Sequence, residues 1–255
     1  MGNISSFKKG LYKLALVVCT FCTISCSKSI ENQTTKLEPL ENCRSSVNPQ
    51  LPQFVIGYGS LMHEDSKRED SFESGDNYPI YLTGFQRGWI EPGTDIGFST
   101  TYLGVIKDAK AKINATYFKL NNSKAIYNYD KREDSYCRLE VSPKQIQALA
   151  TKKLPHGQYW IYVSRSSLAH SPSQQKPIVQ SYVDIFLSGC FQLEKKFHIQ
   201  NFARDCVRTT NYWSGFWVND RLYPRTAFDN DPYVAKIDPL LAKELPYYFK
   251  QIRIE

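Results

Sequence analysis

Apolar residues run unbroken at Phe54-Val55-Ile56 and then give way at once to Gly57-Tyr58-Gly59-Ser60-Leu61-Met62. So short a continuous run predicts a strand covered on both faces. Residues 64 to 77 are charged and polar and predict a loop. Stretches 78–82, 100–106 and 113–120 are rich in β-branched and aromatic positions and predict three more strands. Residues 127 to 134 are dominated by charge and predict a turn. Beyond it the pattern alternates. Cys137, Leu139 and Val141 fall on one side and Tyr136, Arg138 and Glu140 on the other, as in a half-buried strand.

The period then changes. Ser142-Pro143-Lys144-Gln145 has the order of a capping box with proline in the first turn, so a helix is predicted to start there. Ile146, Leu149 and Ala150 would give it an apolar face. Stretch 158–163 predicts a strand, and 164–176 a loop. Pro177 opens a predicted helix whose stripe is Ile178, Tyr182, Ile185 and Phe186. Another helix is predicted from Gln200 to Thr209, with Phe202, Ala203, Cys206 and Val207 inward. Trp213, Phe216 and Trp217 predict an aromatic cluster, and Asp238-Pro239 the start of a short last helix. Several short strands in succession suggest a small sheet or barrel. No repeat or break in composition divides residues 51–255, which read as one domain.

Composition sharpens this picture in three ways. The chain has 255 residues, 42% of them hydrophobic, which is ample for a packed core and excludes a disordered chain. Its formal charge of +7 comes from scattered residues and not from a Lys/Arg block, which argues against a nucleic-acid partner. The first 26 residues have the layout of a secretory signal: Lys8, Lys9 and Lys13, an apolar stretch at 14–24, then Ser25-Cys26. That apolar stretch falls short of the ~20 residues of a comfortable membrane span. Thr23-Ile24-Ser25-Cys26 resembles the lipobox of bacterial lipoproteins, which implies lipidation of Cys26 and an exported, envelope-anchored protein. Residues 27–50 are polar and aperiodic and read as a tether.

Of seven cysteines, Cys43, Cys137, Cys190 and Cys206 fall outside the signal. Their spacings do not suggest zinc, and the four histidines are isolated. A buried free thiol is the expectation for each of the four. If any pair forms, Cys190 with Cys206 is the first to examine.

Candidate chemistry gathers in two places. The glycines of Gly57-Tyr58-Gly59-Ser60 allow a close backbone approach, and successive free amides in such a turn can cradle a carboxylate. Later comes the acidic segment Asp130-Lys131-Arg132-Glu133-Asp134-Ser135-Tyr136-Cys137-Arg138. Together these resemble the γ-glutamylcyclotransferase-like family. Its marks are a strand ending in Tyr-Gly-Ser-Leu, here Tyr58-Gly59-Ser60-Leu61, and a later Asp-x-x-Glu-x-x-Tyr-x-Arg-x-x-Val, here Asp130, Glu133, Tyr136, Arg138 and Val141. Gly84-Phe85-Gln86-Arg87-Gly88-Trp89 is similar to a Gly-x-x-Arg-x-Trp strand found between them. The resemblance covers residues 54–141. Residues 177–225 also resemble an extension of bacterial members, and Ala115-Thr116 depart from the common Gly-x.

The resemblance implies an α+β fold, a small mixed barrel-like sheet with helices packed around it. It also implies an activity without cofactor. A small γ-glutamyl compound would lodge its α-carboxylate in the bend of Tyr58, Gly59, Ser60 and Leu61. Glu133 would act as general base on the α-ammonium, and Tyr136 would line the pocket. The freed amine would attack the γ-carbonyl and release 5-oxoproline. A free glutamate titrates near about 4.3, so a partly apolar pocket is expected around Glu133. Arg138 is expected to be structural or a partner of Asp130. The competing readings are a non-catalytic binding or scaffold protein on the same fold, a thiol hydrolase using Cys137 and His156, and a stacking platform of Trp213, Trp217 and Arg221. Cys137 lies on the apolar side of its strand, which weakens the second, and an aromatic core accounts equally for the third.

Overall fold

A computed structural model describes residues 43–69, 74–93, 99–165, 169–226 and 233–255. The expected signal, Cys26 and residues 27–42 of the expected tether lie outside the described residues.

Strand β1 (Gln53–Gly57) is buried along its whole length, as an uninterrupted apolar run requires. A 3-10 turn (Ser60–Met62) and helix α1 (Glu64–Glu69) follow. Strands β2 (Tyr78–Pro92) and β3 (Thr101–Lys119) form a long antiparallel hairpin. Then come α2 (Ala125–Arg132), β4 (Tyr136–Val141), β5 (Ile146–Ala148) and β6 (Gln158–Ser164). The C-terminal part contains β7 (Ile178–Val179), α3 (Gln180–Phe197), α4 (Phe202–Arg208), β8 (Thr210–Asn211), β9 (Trp217–Asn219), α5 (Val234–Glu244), α6 (Pro246–Phe249) and β10 (Arg253–Ile254).

The main sheet runs β4-β6-β1-β3-β2-β5, with β8 beside β2. Only the β1–β6 and β2–β8 pairings are parallel, so the sheet is mixed. It forms a half-barrel with helices packed around it, the α+β architecture expected. Phe54 and Ile56 face a core filled by Val105, Tyr117, Tyr159 and Ile161. Val55 faces the other way, under Ala125, Ile126 and Tyr129 of α2. A third core joins α3, α4 and α5 to Met62, Trp89 and Leu103. The end of β1 thus sits where the three cores meet.

Several local expectations need correction. Residues 64–77 are not all loop, since 64–69 form α1. That helix lacks an apolar stripe and is held through Lys67, fully buried and bonded to Glu64, Gly75 and Asn77. The two strands expected at 100–106 and 113–120 are one strand, β3; its polar middle, residues 108–111, bulges opposite Gly84. The charged turn at 127–134 is the end of α2. The capping box at Ser142 forms, yet it closes only a 3-10 turn. Ile146 to Ala148 then pair with Leu82 to Ile80, because the β2 edge offers unsatisfied backbone groups that a helix would leave open.

Helix α3 starts at Gln180, three residues after Pro177, because Ile178 and Val179 form β7. Phe216 is 45% exposed and lies outside the cluster, in which Trp213 and Trp217 stack at 5.1 Å. Helix α5 starts at Val234 and carries Pro239 inside it.

The four cysteines are not free thiols. Cys43 pairs with Cys137 and Cys190 with Cys206. The first bridge also corrects the tether. Cys43 is buried, its carbonyl accepts the Arg138 amide at 2.8 Å, and residues 43–50 lie on the domain.

Candidate active site

The bend after β1 is fixed from three sides. On the first, α3 comes so near that a Cβ on Gly189 would stand 2.5 Å from the Met62 carbonyl carbon and the His63 nitrogen. Only glycine allows this contact of helix and turn. On the second, a Cβ on Gly59 would stand 2.8 Å from the Tyr182 hydroxyl, which itself interacts with the amide and hydroxyl of Ser60. On the third, the Tyr58 carbonyl accepts a hydrogen bond from Arg87 Nη1 at 3.1 Å. The Tyr58 hydroxyl donates to the Tyr162 carbonyl at 2.7 Å.

Arg87 is the hub beneath this bend. It is fully buried and donates to Asn114 O, Asn114 Oδ1, Cys206 O, Thr209 Oγ1 and Thr210 Oγ1 at 2.8–2.9 Å. Its guanidinium carbon lies 4.7 Å from the Phe186 ring centre. No carboxylate is among these partners, and burial lowers its pKa to about 9.

Glu133 approaches the bend from the opposite wall. It caps the C-terminus of α2, its amide bonded to the Tyr129 carbonyl at 2.8 Å. Arg44 Nη2 donates to the Glu133 carbonyl at 3.1 Å, so the arm stapled by Cys43 helps to hold this turn. The Glu133 side chain is 17% exposed and lies 3.3 Å from Arg132 Nε. Arg138 pairs with Asp130 at 2.8 Å, as expected, and lies over Trp160.

Tyr58, Gly59, Ser60, Leu61, Glu133 and Tyr136 line one cleft, with Tyr182 and Leu103 also in its walls. Its cavity volume is about 40 Å³, well below the ~300–1,000 Å³ of typical small-ligand sites. The Tyr136 hydroxyl reaches the Leu103 carbonyl at 3.3 Å. Burial is the main cause that raises the pKa values of Tyr58, Tyr136 and Tyr182, with the charges of Glu133 and Glu91 next for Tyr58, and Tyr58 and then Glu91 for Tyr136. These tyrosines therefore keep their protons and remain donors at neutral pH. One acidic side chain, tyrosine hydroxyls and a glycine bend in one narrow cleft offer the polar groups that a small zwitterion would pair with.

Cys137 is disulfide-bonded and Trp213 is core, which removes the thiol-hydrolase and stacking readings. Two residues of the site escaped the sequence reading. Tyr182 fell on an apolar helical stripe and gave no other signal. Glu91 lies just past the Gly84–Trp89 motif and carried no expectation; it follows a register shift after Trp89 and is buried.

Glu91 is 2% exposed, and burial raises its pKa from 4.5 to about 7. A carboxyl group whose folded pKa is raised contributes stability that is complete below its unfolded pKa and is lost as pH rises through the folded one. At ~1.4 kcal/mol per unit, about 3 kcal/mol should disappear between roughly pH 4.5 and 7. Denaturant unfolding across that window should show the loss in the wild type and a flatter profile in Glu91→Gln. Parallel profiles would mean that Glu91 is not the group responsible.

No family model matches the chain, and no curated protein matches it. Solved structures do resemble it. One is a gamma-glutamyl cyclotransferase, with TM-score 0.48 and 12% identity over 75% of this chain and 99% of that one. An uncharacterized protein from Homo sapiens matches with TM-score 0.48 and 12% identity over 65% of this chain and 92% of its own. A gamma-glutamyl cyclotransferase specific to glutathione, from yeast, matches with TM-score 0.40 and 10% identity over 76% and 97%. Likeness of this degree says nothing of chemistry, which resides in the site.

Proposed function

We propose that this protein is a γ-glutamyl cyclotransferase that releases 5-oxoproline from a γ-glutamyl compound. The observation that carries the reading is the meeting of Glu133 with the Tyr58–Leu61 bend in one small cleft. The substrate's α-carboxylate takes the amides of the bend. Its α-ammonium displaces Arg132 from Glu133, which then accepts a proton. The freed amine attacks the γ-carbonyl, and the distal amine departs. The nucleophile belongs to the substrate, so holding the chain folded supplies a large share of the rate. Tyr58 and Tyr136 already donate to the Tyr162 and Leu103 carbonyls, so the Tyr182 hydroxyl is the phenolic donor offered to the oxygen that gains charge in the tetrahedral adduct.

The signal and Cys26 lipidation belong to the same reading. Two disulfides among the described cysteines support export to an oxidising compartment.

The test is a panel of γ-glutamyl amino acids, amines and isopeptides, with 5-oxoproline as readout. Each is paired with its α-N-acetyl analogue. Turnover is expected only with a free α-amine. Consumption of the acetylated compounds at equal rate would remove intramolecular aminolysis, and saturable binding without turnover would favour a binding protein on this scaffold.

A further inference from the structure

The cyclisation proposed above moves two protons. The α-nitrogen begins as an ammonium with three hydrogens and ends as a lactam nitrogen with one. When the leaving group is a primary amine, its nitrogen begins as an amide with one hydrogen and ends as an ammonium with three. A single carboxyl group can hold only one of these protons at a time, and among the described residues that line the cleft Glu133 supplies the one acidic side chain.

A second carboxyl group stands behind that wall. Glu91 pairs in register with Tyr102, next to Leu103, whose side is part of the cleft and whose carbonyl receives the Tyr136 hydroxyl. It is 2% exposed, and neither of its oxygens has a hydrogen-bond partner among the described residues. The Ser164 hydroxyl is near enough to favour the carboxylate but is likewise left without a well-formed bond. A buried carboxyl group with both oxygens unsatisfied is costly, at ~1–3 kcal/mol or more. Packing alone would be served better by leucine or glutamine.

The groups facing Glu91 come from every neighbouring element. Glu133 at the end of α2 and Tyr58 after β1 interact with it electrostatically, as does Tyr136 on β4. Arg165, just past β6, opposes Glu133 by favouring the charged form. Tyr102 lies across the hairpin, and the His170 amide bonds the adjacent Ile90 carbonyl at 2.9 Å. Two carboxyl groups within each other's field do not ionise together readily. One is therefore the better acceptor and the other the better donor.

Resting on the cyclotransfer reading, we infer that Glu91 is the second proton carrier of this site. It enters the cycle protonated and gives its proton to the departing nitrogen, while Glu133 takes one from the α-ammonium. The steps balance. Glu133 accepts the first proton, and the amine forms its bond to the γ-carbon, leaving a negative oxygen and a positively charged ring nitrogen. Glu91 protonates the departing nitrogen as the old carbon–nitrogen bond breaks and the carbonyl reforms. The ring nitrogen then returns a proton to Glu91. Glu133 passes its own to the free amine, which leaves as an ammonium. Both carboxyl groups end as they began.

The test compares full-length wild type with Glu91→Gln and Glu91→Asp across pH, measuring kcat and KM for 5-oxoproline release. Thermal melts at about pH 6 serve as a folding control, since glutamine matches glutamate in shape. The wild type should lose kcat as pH rises past about 7. Glu91→Gln should lose ~10²-fold or more in kcat with KM little changed, and its residual activity should no longer fall on the alkaline side. Glu91→Asp should recover part of the rate and the alkaline limb. A folded Glu91→Gln protein with wild-type kcat overturns the inference while leaving the cyclotransfer reading intact. So does a reduced kcat with the alkaline limb unchanged, which would make Glu91 a packing residue. A wild type inert towards every γ-glutamyl compound overturns the cyclotransfer reading and this inference with it.

Discussion

Glu133→Gln is expected to lower kcat for 5-oxoproline release by ~10²–10⁴-fold, the usual share of a general base, and to leave the fold standing. Both halves follow from how Glu133 is held. Its backbone is fixed independently of its carboxylate, by the bond to Tyr129 on one side and by Arg44 on the other. The side chain's ion pair with Arg132, at 3.3 Å, is a partly solvated contact, and such pairs contribute ~0–1 kcal/mol. Stability should therefore shift by about 1 kcal/mol at most. The rate should not be spared, because glutamine cannot accept the ammonium proton and the amine cannot attack while it carries one. Glu133→Asp keeps the charge but draws it back from the cleft. A misplacement of about 1 Å can cost ~10²-fold, so this variant should also be slow. Assaying 5-oxoproline beside a thermal melt separates the two effects. Undiminished turnover in a folded Glu133→Gln protein would remove Glu133 as base.

The parts of this protein that were legible in the sequence are those whose partners lie close along the chain or whose burial is complete. Phe54-Val55-Ile56 declared a doubly covered strand because nothing polar interrupts it. Helix α4 showed its inward face because Phe202, Ala203, Cys206 and Val207 keep helical spacing and are all buried. What failed were positions decided by distant contacts. Ile146 followed a genuine capping box yet joined a sheet edge 64 residues earlier in the chain, at Leu82. Helix α1 is anchored by the buried ammonium of Lys67, which no hydrophobic pattern registers. Cys43 sat in a polar stretch, and its partner is 94 residues away.

The site divides the same way. Tyr58 to Leu61 and Glu133 were visible as motifs, each at the end of one element, and the cleft does bring them together. Glu91 was invisible because it lies outside every motif, just past Trp89, and its surroundings are set by a register shift against the partner strand. Arg87 was visible only as a letter in a strand motif. Its burial could not be read, since arginine is almost never fully buried unless its donors are met. Here they are met by carbonyls and hydroxyls from β3, α4 and its C-terminal turn, and the Tyr58 bend.

Arg87→Met is expected to be the most destabilising single change near the site, by about 3–5 kcal/mol. Methionine fills much of the same space and removes a desolvated cation, which favours the variant. Against this, the Tyr58 and Asn114 carbonyls lose Nη1, and each buried acceptor left unsatisfied costs ~1–3 kcal/mol. The Cys206 carbonyl is partly protected, since Thr210 also donates to it at 2.7 Å. Asn114 loses a second bond at its side-chain oxygen, though Thr209 still reaches it. For a chain of this size ~1 kcal/mol moves the melting midpoint by ~2–4 °C, so a fall of roughly 6–20 °C is expected. Arg87→Lys should fall in the same direction, because one ammonium cannot present a planar fork to six acceptors. The bend should suffer along with the fold. The Tyr58 carbonyl loses its bond from below, and the amides beyond it lose their aim at the cleft. At a temperature where Arg87→Lys is still folded, KM for a γ-glutamyl compound should rise more than kcat falls, because the bend binds the carboxylate and Glu133 is untouched. A midpoint unchanged in Arg87→Met would show that the hub carries no net stability, and an unchanged KM in Arg87→Lys would detach the buried guanidinium from the bend above it.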